Sequence, residues 1–493
     1  MSTDEGIKNS VKATSLFGGV QAFSMLVTMI RSKIVALLIG PAGIGLVELY
    51  QSTIRLIGSL TDFHLHTSAV RDVSMAYKSG DTERFIHVSS LFSRIVWITG
   101  LLGAFVCLLG SPLWSKLSFG NYDYTIGFAI LSCVLLLNQL TNGKTVLLQS
   151  TRHFRYIAYS GIIGNVLGLV TTIPIYYFFG VDGIVAVIIL AAVFSYLLAW
   201  FYSSKLKIEY ESIGFKDVLK EGKGMLQQGF LLSINYLLST LIFYILRIVI
   251  SNHGGTEELG LYSASFAVVT VYIGLIVQSM SKEYYPRISA LSTSNKEFND
   301  AVDKQMNLSL LLLGPMIVCF LSFSEQLLIL LYSEKFVGAT MFMSLSMLGV
   351  ILQAPSWCLG YAYLAKGDNK AFLLYETIAK VEKLTTDILF YYLWGLTGIG
   401  ISFILSYLYY LLQSAIVCKK RYGLVLSHKT ISALLLYLII CITVFITTVI
   451  DLSFLYRVII DGTIIIISCI ISYKRLDGMI DITSFIKSKL HKK

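Results

Sequence analysis

The stretch YIAYSGIIGNVLGLVTTIPIYYFFGVDGIVAVIILAAVFSYLLAWFYS, Tyr156 to Ser203, decides the architecture. It holds two apolar runs, 156–179 and 183–203, joined by a break of a few residues, and Asp182 is the single charge within it. Each run is close to the 20 or so residues that an α-helix needs to cross a hydrocarbon core. Arg152 and Arg155 precede the pair, and Lys205 and Lys207 follow it. Two helices that leave the basic side of a bilayer and return to it satisfy both patterns.

The pattern repeats from Val11 to Tyr473 and predicts an all-α polytopic membrane protein of about fourteen spans. Composition agrees: 55% of the 493 residues are hydrophobic and 14% are charged, with a mean hydropathy of +0.73. A water-soluble protein is excluded, since such domains are roughly 25% charged. The net charge of +10 then reflects basic cytoplasmic loops and not a nucleic-acid partner. Of 39 Lys and Arg, 29 fall in alternate segments taken as inner, and the outer loops hold only Lys116, Lys335 and Arg457. Both termini are therefore expected on the cytoplasmic side. The acidic start, Asp4-Glu5, and the lack of a small-residue cleavage site predict that the first span is retained. None of the seven cysteines forms a CxxC pair, so no metal site or cofactor is expected.

The longest inner loop divides the chain into an N-lobe of six spans (1–203), an interfacial linker (204–224) and a C-lobe of six spans (225–420). Two C-terminal spans and a cytoplasmic tail (421–493) follow. The linker sets Phe215 and Leu219 among five lysines. A faint echo at a separation of about 215 residues, Gly45-Leu46 with Gly260-Leu261 and Tyr159 with Tyr375, suggests two pseudo-symmetric lobes. The tail, with Ile480, Ile482, Phe485, Ile486 and Leu490 among lysines, reads either as a surface helix or as a solvated end.

An ionisable side chain within a span costs several kcal/mol unless it faces water or a partner, so these residues are the candidate site. At about 100° per residue, Glu48, Gln51, Arg55, Asp62 and His66 share one face of a second span drawn over 45–70. Glu376, Lys380, Lys383 and Asp387 form a narrower stripe on the eleventh span, 371–393. The first span adds Gln21, Ser24, Thr28 and Arg31, with Lys33 set apart, and the seventh adds Gln228, Asn235, Ser239 and Arg247. These charges fit a hydrated cavity biased towards positive. Arginine's planar fork can hold a phosphate or pyrophosphate, which points to an anionic substrate bound by Arg31, Lys33, Arg55, Arg247, Lys380 and Lys383. Glu48, Asp62, His66, Glu376 and Asp387 are assigned to charge pairing or ion coupling. The alternative is that the arginines pair with Glu48 or Asp62, and the lysines with Glu376 and Asp387, merely to hold the bundle together. His64 is read as an interfacial hydrogen-bonding residue. The chain has no P-loop, HExxH or GxSxG motif, so the energy must come from an ion gradient, the membrane potential or substrate flux.

Several segments resemble O-antigen translocases, lipid-linked oligosaccharide flippases of the multidrug/oligosaccharidyl-lipid/polysaccharide exporter superfamily. They are Arg31-Ser-Lys-Ile-Val-Ala-Leu-Leu-Ile-Gly-Pro-Ala-Gly-Ile-Gly45, Tyr244-Ile-Leu-Arg247, Glu258-Leu-Gly-Leu-Tyr262, Tyr284-Tyr-Pro-Arg287 and Leu331-Tyr-Ser-Glu-Lys-Phe336. The resemblance covers most of residues 10–420. It implies a polyprenyl-pyrophosphate-linked sugar repeat unit, turned from the cytoplasmic to the periplasmic leaflet of a bacterial inner membrane by alternating access. It also implies H⁺ or Na⁺ as a possible coupling ion, polysaccharide polymerase or ligase partners, and a monomer. Arg31 and Arg55 resemble the cavity arginines of peptidoglycan-precursor flippases, although Ser32 stands where those proteins carry an acid. A cation-coupled multidrug exporter is the rival within the superfamily, and the basic excess opposes it. A membrane-embedded glycan polymerase or transferase would need a large outer loop, which is absent, and a structural scaffold is the least specific alternative.

Overall fold

The computed structural model describes residues 3–450 and 453–480; most of the expected surface-helix tail, Ile482 to Leu490, lies outside them. The described residues are helical and contain no strand. In the first half of the chain the helices are α1 (Thr3–Thr61), α2 (Leu65–Lys78), α3 (Thr82–Leu109), α4 (Ser111–Phe119), α5 (Thr125–Ser150), α6 (Phe154–Phe179), α7 (Ile184–Ser204) and α8 (Phe215–Glu221). The second half continues with α9 (Lys223–Ala267), α10 (Ile273–Ala290), α11 (Asn295–Ser322), α12 (Ser324–Leu331), α13 (Thr340–Ala365), α14 (Asn369–Tyr422), α15 (His428–Val449) and α16 (Phe454–Ile480).

Among the described residues, ten helical stretches are long and apolar enough to cross a membrane. Four of them are too long for one crossing. Phe23–Thr61, at 39 residues, would extend about 58 Å against a hydrocarbon core of about 30 Å. Each of the four is broken at a glycine with positive φ: Gly40 (64°), Gly180 (53°), Gly255 (80°) and Gly395 (60°). Glycine tolerates this left-handed backbone, where any Cβ would be strained. With each broken stretch counted as two crossings, the ten give the expected fourteen.

The break points reveal the internal repeat far better than the side chains do. Gly40 pairs with Gly255, and Gly180 with Gly395, both at a separation of about 215 positions. Arg152 (φ 61°) and Gly367 (φ 72°), in the turns after α5 and α13, obey the same spacing. The ψ values match as well, near ±175° at Gly40 and Gly255 and near −135° at Gly180 and Gly395.

The chain divides into two compact units, residues 1–260 with 331–333 and residues 261–330 with 334–493. One core of the first unit gathers Tyr50, Ile54, Ile57, Phe128, Leu131 and Tyr176. A second gathers Leu65, Val73, Phe92, Ile95, Leu147 and Val218. In the second unit Tyr284, Phe298, Val302, Leu359, Tyr363 and Leu411 pack together. Lipid tails are as apolar as these side chains, so cohesion rests on close approach at small residues more than on expulsion of water. Gly143 of α5 lies so close to Val96 of α3 that a Cβ there would fall 2.9 Å from Cγ1. Gly45 and Gly260, the glycines of the sequence echo, are in direct contact, and a Cβ on either would lie under 2 Å from a backbone carbonyl oxygen.

Two expectations change. The second span does not run to residue 70: α1 stops at Thr61, and Phe63 (φ 48°) and His64 (φ 51°) turn the chain into α2. The Asp62 carboxylate accepts the His64 N–H at 2.9 Å and so offers the backbone an alternative to the helix. His66, on α2, therefore leaves the Glu48 face, while Asp62, whose N–H still donates to the Gly58 carbonyl at 2.8 Å, stays on the side of Arg55. Arg457, expected in an outer loop, is within α16, where its Nε lies 3.7 Å from Asp461 Oδ2.

Candidate functional site

In the first unit, Glu48, Gln51 and Arg55 do share one face of α1. Arg55 donates through Nη2 to Glu48 Oε1, and its Nη1 lies 3.4 Å from Gln51 Oε1. Arg247 of α9 brings Nε to 2.9 Å from the same Glu48 oxygen and lays its guanidinium over the Phe243 ring. One carboxylate thus bridges two arginines and leaves one unit of positive charge over. The partners differ in exposure: the Arg55 side chain is 42% exposed, against 13% for Arg247 and 19% for Glu48. Arg55 can reach a ligand, while Arg247 is held in place.

Arg55 also lines an open recess formed by α1, α3, α5 and α9. Its polar lining includes Asp62, Thr99, Asn138, Gln139, Asn142 and Tyr236. Gln139 is buried and donates to Thr99 Oγ1 at 2.8 Å, which joins α5 to α3. Asn138 and Asn142, one turn apart on α5, are exposed and make no hydrogen bond among the described residues. Neither was a candidate from sequence, because α5 carries no acidic or basic side chain on that face to single it out. The run Asn138-Gln-Leu-Thr-Asn142 in an otherwise apolar helix was the available signal.

The His64 ring lies 5.3 Å from that of Tyr236, which lines the recess, tilted by 52°, and the His66 ring is 4.2 Å from His64. His64 is thus the histidine next to the recess residue, and His66 is exposed on α2. Arg31 points elsewhere, towards α6: it lies near Tyr176, and a Cβ on Gly168 would be 3.6 Å from its Nη1. It has no carboxylate partner among the described residues. Lys33 is half-buried two positions further on. Asn165 donates to Ser24 Oγ at 2.9 Å, so this face of α1 is shared with α6.

In the second unit the stripe on α14 is largely satisfied. Lys383 Nζ lies 2.7 and 3.0 Å from the Asp387 oxygens and 5.0 Å from the Phe403 ring centroid. Asp387 is 2% exposed and also accepts from Ser402. Glu376 accepts from the Tyr410 hydroxyl, and Lys380 is half-buried one turn from Glu376. The i,i+4 alternative describes Lys383 and Asp387, and Glu376 is also held by Tyr410 from the half of α14 beyond Gly395. No group of three or more metal-ligating side chains occurs among the described residues.

Comparison with known proteins gives a consistent result. A family model described as "Polysaccharide biosynthesis protein" matches residues 34–341. A provisionally named O-antigen transporter of Shigella flexneri is 25% identical over 404 residues, 80% of this chain and 93% of that protein. The lipid III flippase of Escherichia coli is 20% identical over 352 residues, 71% and 83% of the respective chains. Among solved structures, the lipid II flippase MurJ in an inward closed conformation superposes with a TM-score of 0.70 at 17% identity, covering 94% of this chain and 99% of its own. An inward-facing multidrug resistance transporter of the MATE family and MOP superfamily gives 0.68 at 16% identity, covering 81% and 94%. Identities this low establish the fold.

Proposed function

Because the chain belongs to the polysaccharide biosynthesis protein family, we propose that it is a flippase for a polyprenyl-pyrophosphate-linked glycan, an O-antigen or related repeat unit. It moves this substrate by alternating access from the cytoplasmic to the periplasmic leaflet of a bacterial inner membrane, with both termini cytoplasmic. The observation that carries the reading is the Glu48-bridged arginine pair at the edge of an amide-lined recess. Glu48 occupies the position a phosphate oxygen would take between two guanidinium forks. An arriving pyrophosphate competes with Glu48 for Arg55, the exposed member, while Arg247 keeps the carboxylate in place. Sugars offer hydroxyls that both donate and accept, and the free amides of Asn138 and Asn142 and the Tyr236 hydroxyl match that chemistry. Their neutrality lets the recess hold a hydroxyl-rich ligand without trapping it through charge.

Arg31 with Lys33, and Lys380 with Lys383, are further anion contacts in this reading. Asp62 and His66 remain the proton or Na⁺ coupling candidates, and polymerase or ligase partners would consume the product. The test is flipping of a fluorescent polyprenyl-pyrophosphate oligosaccharide in proteoliposomes. Arg55→Ala should lower the rate at least tenfold, and Asn138→Ala with Asn142→Ala should raise the half-saturating substrate concentration several-fold. Normal flipping by well-folded Arg55→Ala protein would overturn the site assignment. Efflux of lipophilic cations in place of flipping would favour the multidrug exporter.

A further inference from the structure

The side of the α3–α5 pair opposite the recess carries a second cluster of cations. At about 100° per residue, Leu140, Lys144 and Leu147 lie across α5 from Asn138 and Asn142. There, two adjoining open cavities share Ser93 and Trp97. Lys144 lines the first with Tyr196 and Trp200, and Arg94 lines the second with Tyr210 of the linker. Lys144 Nζ lies 5.3 Å from the Tyr210 ring centroid, which is its one polar interaction among the described residues. Arg94 is exposed and has no ion pair or hydrogen bond among them. Glu211, the one carboxylate lining these cavities, is already engaged by Nδ1 of His87. His87 also lies 2.7 Å from Glu221 and so ties the linker down over the site.

The surroundings indicate the kind of ligand. Trp97 continues into the exposed apolar stripe Leu101 and Phe105 on α3, and Trp200 lies beside the exposed Leu197 and Phe201 on α7. The cavities therefore open among faces suited to lipid tails, with tryptophan and tyrosine at their mouth as at a membrane interface. Two cations without a carboxylate partner suit one phosphodiester. A zwitterionic headgroup would bring its own cation against Lys144 and Arg94. In the orientation proposed above, the site lies at the cytoplasmic leaflet, where basic pockets between helices take acidic headgroups.

We propose that this site binds an anionic glycerophospholipid of the inner leaflet. Its phosphate lies between Arg94 and Lys144, its glycerol region faces Ser90 and Ser93, and its acyl chains run along Trp97 and Trp200. The bound lipid fastens the linker to α3 and α5 through Tyr210. The inference rests on the proposed orientation, but the binding itself is measured without any transport assay.

Native mass spectrometry of the full chain, released from nanodiscs of mixed phosphatidylglycerol and phosphatidylcholine, tests it. One retained phosphatidylglycerol per chain is expected, enriched at least fivefold over phosphatidylcholine. Arg94→Gln with Lys144→Met should abolish the enrichment, whereas Arg94→Lys with Lys144→Arg should keep it. Arg55→Ala should keep it too, even if flipping is lost. Equal retention of both lipids, or enrichment unchanged in the charge-removing variant, would refute the site. Displacement of the lipid by a short-chain polyprenyl pyrophosphate would also refute it, by assigning the cavity to the transported substrate. If the charge-removing variant does not fold, a saturable rise in the wild-type melting temperature with phosphatidylglycerol and not phosphatidylcholine supports the proposal, and its absence overturns it.

Discussion

Replacing Glu48 with Gln should separate what holds the arginine pair from what the pair holds. Glu48 Oε1 accepts from Arg55 and lies 2.9 Å from Arg247 Nε, which pairs with it by charge without a hydrogen bond, so the substitution turns one charge-assisted hydrogen bond into a neutral one and removes one ion pair. A charge-assisted hydrogen bond contributes about 1.5–3 kcal/mol against about 1 for a neutral one. The Arg55 side chain is 42% exposed and its share is screened, while Arg247, 13% exposed, loses more. A net destabilisation of about 1–2 kcal/mol follows. Anion binding should move the other way, because the variant removes the negative charge that competes with the ligand. A unit charge about 5 Å from a phosphate, at an effective dielectric of about 20, is worth about 3 kcal/mol. Halving that for screening leaves a gain of about 1.5 kcal/mol, or about tenfold in Kd. Calorimetric titration with citronellyl pyrophosphate, alongside thermal unfolding in detergent, reads both quantities. Tighter binding with lower stability is expected, and because Glu48 no longer competes for the ligand, slower release should lower turnover. If Glu48→Gln instead weakened pyrophosphate binding as much as Arg55→Ala does, the displacement argument would fail.

Two further outcomes follow from the packing. Asp387→Asn should destabilise the protein by about 3 kcal/mol in denaturant unfolding, because Asp387 is 2% exposed and neutralises Lys383. Removing both charges with Lys383→Met and Asp387→Leu should recover most of that loss; unchanged stability in Asp387→Asn would show that the pair is not structural. Gly260→Ala would place a Cβ 1.8 Å from the Pro41 carbonyl oxygen, a backbone atom that cannot move aside cheaply. A lower melting temperature, by several degrees or more, is expected from such overpacking, of order 1–3 kcal/mol; an unchanged melting temperature would mean that the α1–α9 contact is loose enough to admit a methyl group.

Span number and hairpin placement were legible in the sequence because hydropathy and loop charge are local properties: a run of 20 apolar residues needs no distant partner to be read. The breaks holding Gly40, Gly180, Gly255 and Gly395 were legible as interruptions between apolar runs, but their left-handed backbone was not, since composition does not report φ. The pair Lys383–Asp387 was visible as an i,i+4 alternative because both residues sit on one helix. The tertiary structure alone decided the rest. Arg55, within hydrogen-bonding reach of Glu48 on its own helix, could be foreseen, but Arg247 reaches the same oxygen from far along the chain, where no periodicity links it. At the end of α1 the His64 N–H donates to the Asp62 carboxylate, a contact too local for a hydrophobic pattern and too specific for a charge count. Asn138 and Asn142 carry no charge, so their importance lies in the cavity they face. Arg94 and Lys144 resemble other basic residues near the ends of apolar runs until packing shows that no acid pairs with them. Sequence alone determined which segments lie in the bilayer and the excess of positive charge among them. Tertiary packing decided which of those charges are already neutralised, because that depends on distances between segments that the chain order does not encode.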